Sequence, residues 1–221
     1  MKSTEPGTRE RLLRETERLF ATGGVGAITL REVTDRAGAN LAAVNYHFGS
    51  KEGLIRTMLQ ERVEPVNAAR IRRLEAARAA HGEAPIPVVT LLEAMMLPVL
   101  EEAEREADGE GTFLRMMGRV LSEPASFLRE FHEQFFRDIA QRFHAELVRS
   151  CPHLDSIDLA YRMHFTVSAF TGALLQRRRL AWMSRGRIDP EDNDGLFHQL
   201  LPYLAAGLNA PAAETAQPRK P

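Results

Sequence analysis

The residues best suited to chemistry lie between positions 29 and 51, and the chemistry they suit is nucleic-acid binding. Arg31 can reach a guanine or a phosphate, and Lys51 adds a cation where a helix begins. Between them runs a series of small, amide and aromatic side chains without an acidic residue: Leu41, Ala42, Ala43, Asn45, Tyr46 and His47. The amide of Asn45 can bond an adenine edge, and the small side chains permit close approach to a groove. This composition predicts a surface that contacts DNA.

Two short helices joined by a tight turn must position these side chains. Thr29 can cap the first helix, with Glu32 three residues later completing a capping box. Gly38 is placed to end it in a left-handed conformation, and Asn40 can cap the second helix. Thr29 and Asn40, at the two helix starts, are also predicted to contact DNA. The second helix, of about 8 residues, is about 12 Å long and fits across one major groove. One such helix reads few base pairs, so a homodimer on near-palindromic double-stranded DNA is expected.

From Thr8 to Leu54 the chain resembles the N-terminal domain of the TetR family of transcriptional regulators. The resemblance rests on the string LLRETERLFATGGVGAITLREVTDRAGANLAAVNYHFGSKEGL, which covers a three-helix head, the YHF run and the SKE start of a fourth helix. It implies that Tyr46 and His47 hold phosphates. The chain departs from the family at Asn45, where an aromatic residue is most common. The alternative for this stretch is a helical hairpin in an unrelated bundle.

Charge and composition narrow the class of protein. The 221 residues carry a formal net charge of −1, and residues 1–63 hold ten Lys or Arg against eight Asp or Glu, so DNA contact must come from a local patch. The single cysteine, Cys151, excludes an internal disulfide and fits a reducing cytoplasm. No membrane span, metal-ligand spacing, cofactor motif or catalytic constellation is evident, so we expect a cytoplasmic protein that is not an enzyme.

The organisation predicted along the chain is all-α, with about nine helices and no strand. Residues 1–52 form the helix-turn-helix DNA-binding domain, with its motif at 29–48. Residues 53–208 form a ligand-binding and dimerisation bundle, and 209–221 a disordered tail. Single long helices are expected from Pro124 to about Ser150 and from Ile157 to Met183. The latter helix and Leu196–Leu208 are expected to build the dimer interface.

Large apolar side chains in the second part suit a pocket for an apolar or amphipathic effector. The candidate ligand-binding residues are Phe113, Met116, Met117, Arg119, Phe136, His164 and Phe165. Arg119 and His164 are the polar groups best placed in sequence to meet an acidic ligand, while the alternative for the apolar residues is ordinary core. The strings NLAAVNYHFGSKEGLI and FLRMMGRVLSEP resemble a fatty-acid and acyl-CoA-responsive subgroup of the family.

The function expected from the sequence is a ligand-responsive repressor that binds a near-palindromic operator as a homodimer. An activator or a constitutive DNA-binding protein is the first alternative. An enzyme or carrier with a vestigial DNA-binding head is the second, and the intact head with Lys51 argues against it.

Overall fold

A computed structural model describes residues 7–105 and 111–213 of the chain, and within them the architecture is entirely helical. One 3₁₀ turn (Val25–Ala27) accompanies eleven α-helices. These are α1 (Thr8–Gly23), α2 (Leu30–Ala37), α3 (Leu41–Phe48), α4 (Lys51–His81), α5 (Val88–Glu104), α6 (Thr112–Val120), α7 (Ala125–Phe135), α8 (Arg137–Ser150), α9 (Ser156–Leu175), α10 (Arg177–Met183) and α11 (Asn193–Asn209).

The chain divides into two compact units. The first contains the described residues up to Ala69 together with Pro98–Asp138, and the second contains Arg70–Leu97 and the described residues from Ile139 onward. All three crossings between the units fall inside helices, namely α4, α5 and α8. The domain boundary predicted after residue 52 falls within α4 and within the first unit.

The first unit is built around α1, which packs against α2, α3 and α6. Its core contains fully buried side chains from each of these helices, including Leu12, Phe20, Val33, Val44 and Met116. Arg62 of α4 strengthens the same unit, because it donates hydrogen bonds to Glu17 of α1 (2.8 Å) and Glu102 of α5 (3.1 Å). The two short helices near the N-terminus are therefore held by a core that includes residues about 100 positions away.

The second unit contains α9 packed against α11. Arg162 of α9 closes the C-terminal end of α11 by donating to the carbonyl oxygens of Gly207 (2.8 Å) and Ala210 (2.6 Å), where a cation also complements the helix dipole. Half-buried Arg70 donates to the carbonyl oxygen of Met95 at 2.8 Å. Desolvation lowers the pKa of its guanidinium to about 10, so the group stays charged at neutral pH.

The expectation of about nine helices is wrong, because two predicted long helices are each divided. The backbone breaks at Phe136, which separates α7 from α8, and at Gln176, which separates α9 from α10. At the first break the rings of Phe135 and Phe136 both contact Phe131, with centroid distances of 5.1 and 5.3 Å. Consecutive residues of an unbroken helix point about 100° apart, so the break lets both rings reach one partner. Asn67 then donates to the carbonyl oxygen of Phe135 at 2.7 Å.

Other predictions fall at the margins of the described chain. The sequence also predicts a loose arm at residues 1–7, a loop at 108–111 and the tail at 209–221, and most of each segment lies outside the described residues. The sequence predicts that Pro65 can kink the fourth helix, and in the structure Pro65 lies within α4, which spans 31 residues in all. No helix in the described ranges is long and apolar enough to cross a membrane.

Cys151 is buried, and burial raises the pKa of its thiol, an effect that the nearby Arg162 charge lessens.

Candidate nucleic-acid interface

Side-chain caps hold the two short helices at their N-termini. The Thr29 hydroxyl accepts a hydrogen bond from the Glu32 amide at 3.2 Å, and Asn40 Oδ1 accepts one from the Ala43 amide at 2.9 Å. The Glu32 carboxylate accepts from Arg36 at 2.7 Å instead of reaching back to complete the predicted capping box. Both predicted caps therefore form, and each fixes the first turn of its helix.

The turn between α2 and α3 has the geometry that the sequence predicts. Gly38 adopts φ 58° and ψ 44°, the left-handed conformation that glycine adopts at low cost after a helix. Val33 and Ala37 of α2 and Val44 of α3 are buried against the unit's core. These contacts leave only the opposite faces of the two helices available to a partner.

The predicted DNA-contacting side chains lie on that outward surface. Tyr46 is 85% exposed, and Leu41, Ala42, Asn45 and His47 are also exposed, whereas Ala43 is half-buried. The rings of Tyr46 and His47 meet edge to face with centroids 4.9 Å apart. Arg31 on α2 is exposed, with its Nε 3.9 Å from the Asp35 carboxylate. The structure thus leaves an arginine of α2, together with an amide and two aromatic groups of α3, exposed to a partner.

Lys51 and its surroundings begin α4. The Ser50 hydroxyl accepts from the Gly53 amide at 3.0 Å, so Ser50 caps this helix. Glu52 is exposed beside Lys51. Its pKa is lowered by a bond to its own backbone amide, by the Ser50 hydroxyl and by the Lys51 charge, so it is ionised at neutral pH. Lys51 therefore offers a cation at a helix N-terminus, where an anion is favoured, next to one fixed negative charge.

The residues predicted to bind an effector lie partly in the first unit and partly in the second. Phe113 and Met116 are buried in the first unit, where the Arg62 guanidinium lies 5.4 Å from the centre of the Phe113 ring. Met117 and Phe136 in that unit are half-buried. His164 and Phe165 are exposed on α9 of the second unit, with ring centroids 6.1 Å apart.

Arg119 contacts the N-terminal helices. Its Nη2 donates to the carbonyl oxygen of Gly23, the last residue of α1, at 3.0 Å. Glu123 accepts from the Val25 amide at 3.2 Å. In the sequence both residues lie in the string FLRMMGRVLSEP, and their four-residue spacing is typical of an ion pair on one helix face. The partners lie 96 and 98 positions away, so no local pattern could have identified them.

The described residues lack the pattern of a metal-binding site. No group of three or more His, Cys, Asp or Glu side chains is arranged there to hold a metal ion. The exposed groups at α2, α3 and the start of α4 include cations, an amide and aromatic rings, which suit recognition of phosphates and base edges, together with the carboxylates of Asp35 and Glu52.

Two family models together cover most of the chain. Residues 12–58 match the model described as "Bacterial regulatory proteins, tetR family". Residues 93–207 match the "Tetracyclin repressor-like, C-terminal domain" model, which alone spans more than half of the sequence. No curated protein matches the chain in sequence.

Solved structures show the same fold at low sequence identity. The TetR-family regulator PfmR from Thermus thermophilus aligns with a TM-score of 0.54 at 20% identity, covering 95% of this chain and all (100%) of that one. A Rhodococcus sp. protein assigned to the same family aligns with a TM-score of 0.52 at 15% identity, covering 93% of this chain and 98% of the other. At these identities the likeness is one of fold alone.

Proposed function

Since the chain belongs to the TetR family of transcriptional regulators, we propose that it is a ligand-responsive repressor that binds a near-palindromic operator as a homodimer. The observation that supports DNA binding most directly is the exposed face of α3. This capped helix carries Asn45, Tyr46 and His47 outward with no acidic residue along its length. The absence of a carboxylate matters because a negative charge on the reading helix would repel the phosphate backbone.

A direct test of this function is selection of bound sequences from a random duplex library. We expect a consensus with two similar half-sites, centred about one helical turn apart or a multiple of it, because a two-fold dimer presents two copies of α3. Recovery of a single half-site would contradict the dimeric arrangement. Recovery of no preferred sequence would contradict operator recognition.

The proposed dimer rests on an exposed apolar stripe in the second unit. Ile157, Tyr161 and Phe165 follow one another at four-residue spacing on α9, and each is at least 60% exposed. Tyr203 on α11 is also exposed. Residues four apart share a helix face, so α9 presents a continuous apolar surface that association with a second copy would bury.

An effector of the apolar or amphipathic class is proposed to control this binding. The sequence suggests that Arg119 could meet an acidic ligand. The structure gives this role no support, because the Arg119 side chain is already bonded to the Gly23 carbonyl oxygen and paired with Glu123. The resemblance to the acyl-responsive subgroup still makes long-chain fatty acids and acyl-CoA thioesters the first compounds to try. A ligand that controls binding must prefer one of two arrangements of the protein, and the difference in affinity limits the response.

The effector prediction is tested by titrating these compounds into protein bound to a labelled operator. We expect one of them to release the DNA with a coupling of about 1–3 kcal/mol, equivalent to an affinity change of about 5–150-fold. A thermal-shift measurement without DNA serves as the control, since an effector must also stabilise the free protein. Neither release nor stabilisation across a broad apolar panel would favour a constitutive DNA-binding protein.

A further inference from the structure

The connection between α1 and α2 is held by two side chains from α6 and the residues just after it. Arg119 donates to the Gly23 carbonyl oxygen at 3.0 Å, and Glu123 accepts from the Val25 amide at 3.2 Å. The Arg119 Nε lies 3.7 Å from Glu123 Oε1, so the two side chains also form an ion pair. We call this pair, with the backbone groups of Gly23 and Val25, the α6 clip.

Gly24 makes the clip possible. Its backbone, at φ 70° and ψ −164°, lies in a region essentially restricted to glycine. A Cβ atom at this position would lie 1.8 Å from Glu123 Oε1 and 2.7 Å from Arg119 Nε. The absent side chain therefore leaves the space that the clip occupies.

The other hydrogen bonds of the turn are between backbone groups: the Gly24 amide donates to the Phe20 carbonyl oxygen at 2.8 Å, and the Ala27 and Ile28 amides donate to the carbonyl oxygens of Gly24 and Val25 at 3.2 and 3.3 Å. The turn's 3₁₀ residues Val25–Ala27 are not buried, and Gly26 has no atom within 4 Å of where a side chain would begin. Glu123, by contrast, has a side chain only 9% exposed. A hydrogen bond accepted by a largely buried carboxylate is stronger than one between neutral groups in water, so the clip adds a charge-assisted contact to the backbone bonds of the turn.

The turn leads directly into the candidate nucleic-acid interface. Ile28, fully buried, and Thr29, the cap of α2, follow the 3₁₀ residues without a spacer. The position of the turn therefore sets where α2 begins, and α2 carries Arg31 and packs against α3. A shift at Val25 is passed to the reading helix through this continuous path.

We propose that Arg119 and Glu123 are positioning residues for DNA binding, which fix the α1–α2 turn and thereby the orientation of α2 and α3. This inference rests on the proposed function of the first unit. Neither residue touches DNA in this scheme. Loss of the clip lowers the fraction of molecules whose reading helices are correctly placed, and the apparent affinity falls by that fraction.

The test compares Glu123→Ala and Glu123→Gln with the parent chain. Glutamine keeps an acceptor oxygen for the Val25 amide, whereas alanine removes it. We expect Glu123→Ala to bind the selected operator about tenfold more weakly and Glu123→Gln to stay within about twofold of the parent. The selected consensus and the dependence of affinity on salt should be unchanged, because no contact with bases or phosphates is lost.

Matched controls exist nearby in the same unit. Glu130→Ala on α7 removes the same charge from an exposed position. Arg119→Ala, which should weaken operator binding as Glu123→Ala does because the Gly23 carbonyl oxygen loses its donor, has Arg129→Ala as its counterpart. Both controls should bind DNA as the parent does. Binding is measured well below the unfolding temperature of every variant, so that a change in stability alone leaves the affinity unaltered.

Amide hydrogen exchange at Val25 provides a readout that does not depend on DNA. We expect faster exchange in Glu123→Ala and near-parental exchange in Glu123→Gln. Unchanged exchange in Glu123→Ala would overturn the clip itself. Faster exchange with parental operator affinity would overturn the positioning role. If the parent selects no DNA, the proposed function fails, and the exchange result still decides whether the clip exists.

Discussion

At the residue scale, Lys51 is expected to act on phosphates and so on all DNA sequences alike. Lys51→Ala should weaken specific and non-specific binding together and reduce the salt slope by about one unit, because one phosphate contact is lost. Measurement of affinity at several salt concentrations checks this, with Arg129→Ala as the control for the loss of an exposed cation. An unaltered slope and affinity in Lys51→Ala would remove this lysine from the interface.

Asn45 is expected to act differently, because its amide is exposed on the face of α3 that would meet base edges. Asn45→Ala should relax the preference at one base position in each half-site, at a cost of about 1–3 kcal/mol for the preferred base. Repeating the library selection with this variant checks the assignment. If parent and variant return the same consensus, Asn45 does not read a base.

At the scale of the element, two substitutions of Asn40 distinguish its role as a helix cap from a contact with DNA. Asn40→Ala should reduce the free energy of unfolding by about 1 kcal/mol, because the Ala43 amide loses its side-chain acceptor and keeps only the Asn40 carbonyl oxygen. Asn40→Asp keeps the acceptor and should retain stability, while its negative charge at the surface should still weaken DNA binding. Denaturant unfolding of both variants checks the cap. Equal stability of Asn40→Ala and the parent would show that the cap contributes nothing.

The elements that the sequence predicts well are those with local signals. Thr29, Gly38 and Asn40 mark the ends of α2 and α3, and the structure confirms all three roles. The breaks at Phe136 and Gln176 carry no glycine or proline, so helical periodicity runs through them and predicts single helices. Their cause is tertiary, as the contacts of Phe131 with both neighbouring rings show at the first of them.

The candidate site also contains residues that local sequence signals predict and residues that only tertiary contacts reveal. The outward residues of α3 follow from helical spacing once the buried Val44 is identified. The α6 clip does not, because it depends on Glu123 meeting a backbone amide 98 residues away and on a glycine whose role is to leave space. In the sequence, Gly23, Gly24 and Gly26 indicate only the end of α1.

At the scale of the whole molecule, the exposed stripe on α9 predicts how the dimer is disrupted. Phe165→Glu should give a monomer and abolish tight operator binding, because a charge would be buried at the interface. Sedimentation of the variant checks this, with Val148→Glu on α8 as the control for a charge at an exposed apolar position. A dimeric Phe165→Glu would place the interface elsewhere. Leu204 is unsuitable for this test, because it is buried within its own protomer.

The position of Lys51 also has a consequence for labelling chemistry. The sequence contains three lysines, and the other two, Lys2 and Lys220, lie close to its ends. Between residues 3 and 219, Lys51 therefore carries the only side-chain amine that an acylating reagent can modify. After such a reaction, peptide mapping would measure the acylation of Lys51 in a single peptide. Less acylation in the presence of DNA would show that DNA covers the N-terminus of α4. Acetylation there would remove the charge that this surface offers to a phosphate.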